Sequence, residues 1–136
     1  MYKCEFFQIQ ELVPPKIFEK RAERSWELLD ERLLFALDQL RGRYGKMTVN
    51  NWRWGGDRMW SGLRTPGSPF YSSHSQHSFG RAADILFDDV SAEDVRKDIQ
   101  VMPDASEFNL ICAVELDVPW LHIDVRNCER VFFFKA

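Results

Sequence analysis

Between Pro15 and Leu40 the apolar residues Phe18, Ala22, Trp26, Leu29, Leu33, Leu37 and Leu40 recur at helical spacing. The pattern predicts one apolar stripe on a helix of about seven turns. Pro14-Pro15 opens it, at a position where a missing N–H costs nothing because first-turn amides lack intrahelical partners. Gly42 and Gly45 close it. A helix with a single apolar stripe has to bury that stripe against another layer. The rest of the chain supplies the layer in short pieces. Residues 46–54 read as a strand entering a loop, residues 81–87 as a strand, and 108–115, 120–125 and 131–134 as three more. Ser91 caps a short helix, with Asp94 in the third position, which stops before Pro103. The order predicts an α+β fold: a small, mostly antiparallel sheet with a long N-terminal helix packed on it.

A chain of 136 residues is enough for one domain, taken as residues 1–136. Its 11 Phe and 5 Trp supply a real core and exclude a disordered chain. The formal charge of −3 argues against nucleic acid as the main partner, because phosphate binding needs a concentrated positive field. No apolar run approaches the length of a membrane span. The N-terminal residues Met1 to Phe7 lack a basic segment followed by a long apolar one, so no signal peptide is expected. Cys4, Cys112 and Cys128 are odd in number and form no CxxC pair. They predict no disulfide framework and a reducing compartment, and all three read as small buried apolar residues.

Residues 55–80 are rich in Gly, Pro, Ser and His and carry no sustained period. A structureless stretch of that length inside a compact domain is usually functional. It leads into Ser75-Gln76-His77-Ser78-Phe79-Gly80-Arg81-Ala82-Ala83-Asp84, and Trp120-Leu121-His122-Ile123-Asp124 follows later. His77 can fold back over the strand carrying Asp84 if the chain turns at Gly80. Two imidazoles and a carboxylate then make a three-ligand site with an open fourth position, the way catalytic zinc is held. Taken singly, a His–Asp pair is also a common surface feature, and His122 in an apolar strand is equally a hydrogen-bonded core residue.

Ser75, His77, Gly80, Ala82 and Asp84 fill a Ser-x-His-x-x-Gly-x-Ala-x-Asp string that resembles the first zinc motif of the D-Ala-D-Ala carboxypeptidase family. That family includes phage L-Ala-D-Glu endolysins and shares its metal architecture with lysostaphin-type enzymes and hedgehog domains. Trp-x-His-x-Asp at 120–124 is similar to its second motif. Ser61-Gly62-Leu63-Arg64 resembles the segment that precedes the zinc motif, and residues 7–13 the usual opening. The resemblance implies a hedgehog/D-Ala-D-Ala-peptidase-like fold, with Zn²⁺ held by His77, Asp84 and His122. It implies that Arg64 stabilises the charge developing on the scissile carbonyl oxygen and that Ser75 hydrogen-bonds the substrate, a peptidoglycan stem peptide. Such roles match what zinc-dependent amide hydrolysis requires.

Many family members carry a Glu three residues before the last His; here that position is Pro119. Three acids nearby are candidates for the general base. Glu115 closes a predicted strand, Asp117 sits on a predicted turn, and Asp124 shares a strand face with Trp120, His122 and Arg126. That shared face suits Asp124 better as the partner that orients a ligand imidazole, leaving Glu115 and Asp117 level. His74 is expected to line the groove or face solvent, since a fourth protein ligand would close the site. Asn50, Asn51, Trp52, Trp54 and Trp60 form an aromatic, amide-rich stretch able to hold a peptide or sugar chain, with Trp52 or Trp54 read as core.

The expected function is therefore a zinc peptidase cutting D-Ala-D-Ala or L-Ala-D-Glu bonds, phage-related and reaching the cell wall by lysis or virion delivery. The competing expectation is a metal-binding or phage structural module of the same fold that has lost turnover, as Pro119 suggests.

Overall fold

The computed structural model describes residues 1–136. It is an α+β fold with three α-helices and one five-stranded mixed sheet. The helices are α1 (Pro15–Arg21), α2 (Glu31–Tyr44) and α3 (Ala92–Val101). The strands are β1 (Met47–Thr48), β2 (Ala82–Phe87), β3 (Ala113–Glu115), β4 (Leu121–Asp124) and β5 (Phe132–Phe134), in the spatial order β1-β2-β4-β3-β5.

The expected seven-turn helix is not continuous. It stops at Ala22, whose φ of 47° leaves the right-handed region, runs as a 3-10 segment over Ala22–Leu28, and restarts at Asp30. The Asp30 side chain caps α2 by accepting from the Arg32 N–H. A tertiary contact accompanies the break: the Asp30 N–H donates to the Gly80 carbonyl at 2.9 Å. The apolar stripe survives the interruption, because Trp26, Leu29, Leu33, Leu37 and Leu40 are all buried.

The sheet is also less uniform than expected. β1/β2, β2/β4 and β3/β4 pair antiparallel, but β3 and β5 run parallel, with Ala113 opposite Phe132 and Glu115 opposite Phe134. Several strands are shorter than their sequence patterns: 46–54 contributes only Met47–Thr48 before a 3-10 turn at Trp52–Trp54, and 108–115 only its last three residues. Trp54 is 61% exposed rather than core, while Trp52 is half-buried and donates to the Val13 carbonyl. Ser91 caps α3 by accepting from the Asp94 N–H, and the helix ends before Pro103.

The expectation of unpaired cysteines fails for two of the three. Cys112 and Cys128 form a disulfide with Cα atoms 5.7 Å apart, and Cys128 is exposed. Only Cys4 is free, and it is half-buried. The pair is distant in sequence, and pairing along the sheet brings it together: the Cys112 N–H donates to the Asp124 carbonyl, and the Phe132 N–H to the Cys112 carbonyl.

Strand alternation divides the sheet into a core side and a site side. Ala83 and Ile85 of β2 and Leu121 and Ile123 of β4 join the buried cluster with Leu33, Leu34, Leu37 and Leu40 of α2 and Val95 and Ile99 of α3. The intervening residues Asp84, His122 and Asp124 face the other way and are also buried.

Candidate metal centre

Asp84 and His122 are directly opposed across the β2/β4 ladder. His77 reaches them from a 3-10 turn, Gln76–Phe79, that lies just before β2. Gly80 ends the turn at φ 69°, and a Cβ there would lie 2.1 Å from the Leu28 carbonyl oxygen. Both the backbone angle and the close approach therefore exclude a side chain. The Ser61–Arg64 segment is stitched across the turn: the Asp84 N–H donates to the Ser61 carbonyl at 2.8 Å, and the Arg64 N–H to the His77 carbonyl at 3.2 Å. Gly62 lies against Leu12, where a Cβ would be 2.2 Å from the Leu12 oxygen.

One nitrogen of each imidazole is committed outward. His77 Nδ1 lies 2.9 Å from the Gly62 carbonyl, which can only accept, so Nδ1 carries the proton. His122 Nε2 lies 3.1 Å from Asp124 Oδ2 and donates to that carboxylate. In the neutral rings this leaves the lone pairs of His77 Nε2 and His122 Nδ1 turned inward, the tautomers a metal requires. Both inward nitrogens meet one atom, Asp84 Oδ1, at 3.3 and 2.9 Å. The three candidate ligand atoms all lie within 4.8 Å of one another. Asp84 Oδ2 is taken by Arg64 Nη2 at 3.0 Å.

The electrostatics follow from this crowding. Burial opposes charge on Asp84, yet hydrogen bonds from His122 and His77 outweigh it and hold the carboxyl well below its ordinary range. Burial opposes charge on His122 too, but hydrogen bonds to Asp124 and Asp84 push it up to about 9. Asp124 is lowered against the cost of its burial by His122 and by Arg126, whose Nε donates to Oδ1 at 2.7 Å. The raised His122 pKa places a proton between Nδ1 and Asp84 Oδ1. Two imidazoles and a carboxylate with settled tautomers form a group able to hold a metal ion in its place.

The cluster lies at a cavity of about 660 Å³ whose lining includes Arg64, Ser75, His77, Asp84, Glu115 and His122. Of the three candidate bases, Glu115 is the one on its wall. Asp117 is at a positive-φ turn, exposed to solvent, and paired with Lys135 at 3.1 Å, so it does not enter the site. Asp124 is fully buried behind His122. Ser75 caps the His77 turn by accepting from the His77 N–H, and its hydroxyl hydrogen is uncommitted. His74 is exposed on the cavity wall, with Nδ1 on Ser73 Oγ, and is outside the cluster. Phe134 of β5 packs edge-on against the His122 ring.

Arg58 belongs to no motif in the sequence. It lines the cavity half-buried, with Nε on the Val49 carbonyl at 3.0 Å and Nη2 on the Asp84 carbonyl at 3.3 Å. Its only sequence signal is a position inside the aromatic stretch upstream of Arg64.

No protein-family model, no curated protein and no solved structure matches this chain.

Proposed function

We propose that the protein is a zinc-dependent peptidase acting on peptidoglycan stem peptides, at a D-Ala-D-Ala or an L-Ala-D-Glu bond, with a fold of the hedgehog/D-Ala-D-Ala-peptidase type. The observation that carries the reading is the His77–Asp84–His122 cluster, with both inward nitrogens turned to one carboxylate oxygen and an arginine and a glutamate on the same cavity wall. The donor set suits zinc, and three protein ligands leave a position for water. When bound, the ion supplies Lewis acidity toward the scissile carbonyl and lowers the pKa of water.

The chain's own residues divide the remaining work. Asp124 and the Gly62 carbonyl fix the imidazole tautomers. Arg64 is anchored by Nε on the Trp60 carbonyl and by Nη2 on Asp84, so its charge stays beside the carbonyl oxygen where negative charge develops. Glu115 takes the proton of the attacking water and returns it to the leaving amine. Ser75 offers its hydroxyl to the substrate backbone.

Digestion of purified peptidoglycan by the zinc-loaded protein, with mass assignment of the fragments and a chelator control, tests the proposal. New chelator-sensitive ends within stem peptides support it and identify the bond. One feature, Pro119 in the place of the family acid, favours a module of the same fold that binds metal without turnover. That reading predicts one equivalent of zinc and no new ends.

A further inference from the structure

Three arginines line the cavity: Arg58, Arg64 and Arg126. Two have acidic partners. Arg64 is paired with Asp84 and Arg126 with Asp124. Arg58 has none; both of its bonded guanidinium nitrogens rest on main-chain carbonyls, and its Nη1 makes no bond within the protein. Burial lowers the Arg58 pKa from its ordinary value; the Asp84 and Asp57 carboxylates oppose that shift through space, but neither forms an ion pair with the guanidinium. Nor is it a loose surface arginine. Its N–H donates to Asn51 Oδ1 at 2.9 Å, and its carbonyl accepts from the Asn51 N–H at 3.0 Å.

We propose that Arg58 anchors an anion subsite of this cavity and receives a carboxylate carried by the substrate residue next to the scissile amide. The placement follows from Asp84, which offers its side chain to the cluster and its main-chain oxygen to Arg58. Arg58 Nη2 thus lies 3.3 Å from the main-chain oxygen of a residue whose side chain belongs to the cluster, and both line one cavity. A carboxylate fits better than a multiply charged group. Asp57 and Glu115 stand on the same wall and repel excess negative charge. The identity of the anion as a peptide carboxylate rests on the peptidase reading; the anion subsite itself does not.

The test titrates ¹⁵N-labelled zinc-loaded protein with N-acetyl-D-alanine, with N-acetyl-D-alaninamide, and with inorganic phosphate, following amide shifts. The first two probes share a shape and differ by one charge. Wild type is expected to bind the acid ten- to a hundred-fold more tightly than the amide, the range of a charged hydrogen bond. Arg58→Gln should erase the difference while keeping its zinc, and Arg58→Lys should recover part of it. Equal binding of acid and amide by wild type overturns the subsite, as does no binding of the acid. A preference that persists at wild-type size in Arg58→Gln, or in the neutral Arg58→Met should the Gln variant not fold, also overturns it, since the metal rather than Arg58 would hold the carboxylate. Tighter binding of phosphate than of the acid overturns the assignment to a carboxylate. Acid preference through Arg58 without any stem-peptide cleavage sinks the peptidase reading and leaves the subsite standing. Cleavage of stem peptides with free and amidated ends at equal kcat/KM does the reverse.

Discussion

His122 and Asp84 face each other across adjacent antiparallel strands, with Nδ1 2.9 Å from Oδ1. The opposite ring nitrogen of His122 is held by Asp124, two residues along the same strand. Backbone pairing therefore positions a ligand pair, and strand periodicity positions its support.

Glu115, the proposed general base, shares the cavity wall with Arg64 and the cluster, whereas Asp117 points to solvent and pairs with Lys135. Glu115→Gln should lower kcat by about 10²–10⁴-fold with zinc content unchanged. Asp117→Asn should leave both unchanged. Steady-state kinetics on a stem pentapeptide, with metal analysis of each variant, checks this.

Arg64 should separate chemistry from metal binding. Removing one oxyanion-stabilising donor typically costs about 10²–10³-fold in kcat. Arg64→Ala should show a loss of that order and a smaller loss of zinc affinity, because Asp84 Oδ2 is then left unpaired beside the ligand oxygen. Equal losses in kcat and metal occupancy would make Arg64 structural.

The chelator-treated protein should lose stability with rising pH. His122 is pushed up to about 9 in the fold, above about 6.5 for an unperturbed imidazole. A raised pKa means that protonated His122 stabilises the fold fully below pH 6.5. That contribution fades as pH rises and is gone above about 9, a loss on the order of 3 kcal/mol at most. Melting temperatures between pH 6 and 10 should fall for the chelator-treated protein and stay flatter for the zinc-loaded one, where the ion replaces the proton. Apparent zinc affinity should rise through the same window.

The Cys112–Cys128 bond should be a stability element. It closes a loop with a sequence separation of 16, for which chain entropy suggests about 3 kcal/mol. The loop contains β4 and His122. Cys128→Ser should lower Tm, and a dithiol reductant should lower the wild-type Tm to a similar value. A Tm insensitive to both would remove this role.

Residue chemistry made part of the site readable from sequence. Histidines are scarce, Gly80 marks a turn, and alternation along 120–126 puts His122 and Asp124 on one face. The Ser91 cap and α3 were equally local and equally readable. The break at Ala22–Asp30 was not, because the apolar spacing runs through it unchanged and a hydrogen bond to the distant Gly80 accompanies it. The Cys112–Cys128 pair and the parallel β5 depend on which strands become neighbours, a tertiary property. The strands at 46–54 and 108–115 read too long because apolar runs in turns look like apolar runs in strands. Asp117 and Glu115 stood level because two residues of separation say nothing about a positive-φ turn between site and solvent. Arg58 is visible only once the absence of an acidic partner can be seen in space.

The most direct test of the account is zinc stoichiometry, measured by metal analysis and by competition with a chelator of known affinity, for the wild type, His77→Ala and His122→Ala. The wild type should hold one zinc per chain, and both variants should hold none under the same competition while remaining folded by circular dichroism. Full stoichiometry in either folded variant, or no zinc in the wild type, would contradict a His77–Asp84–His122 metal centre.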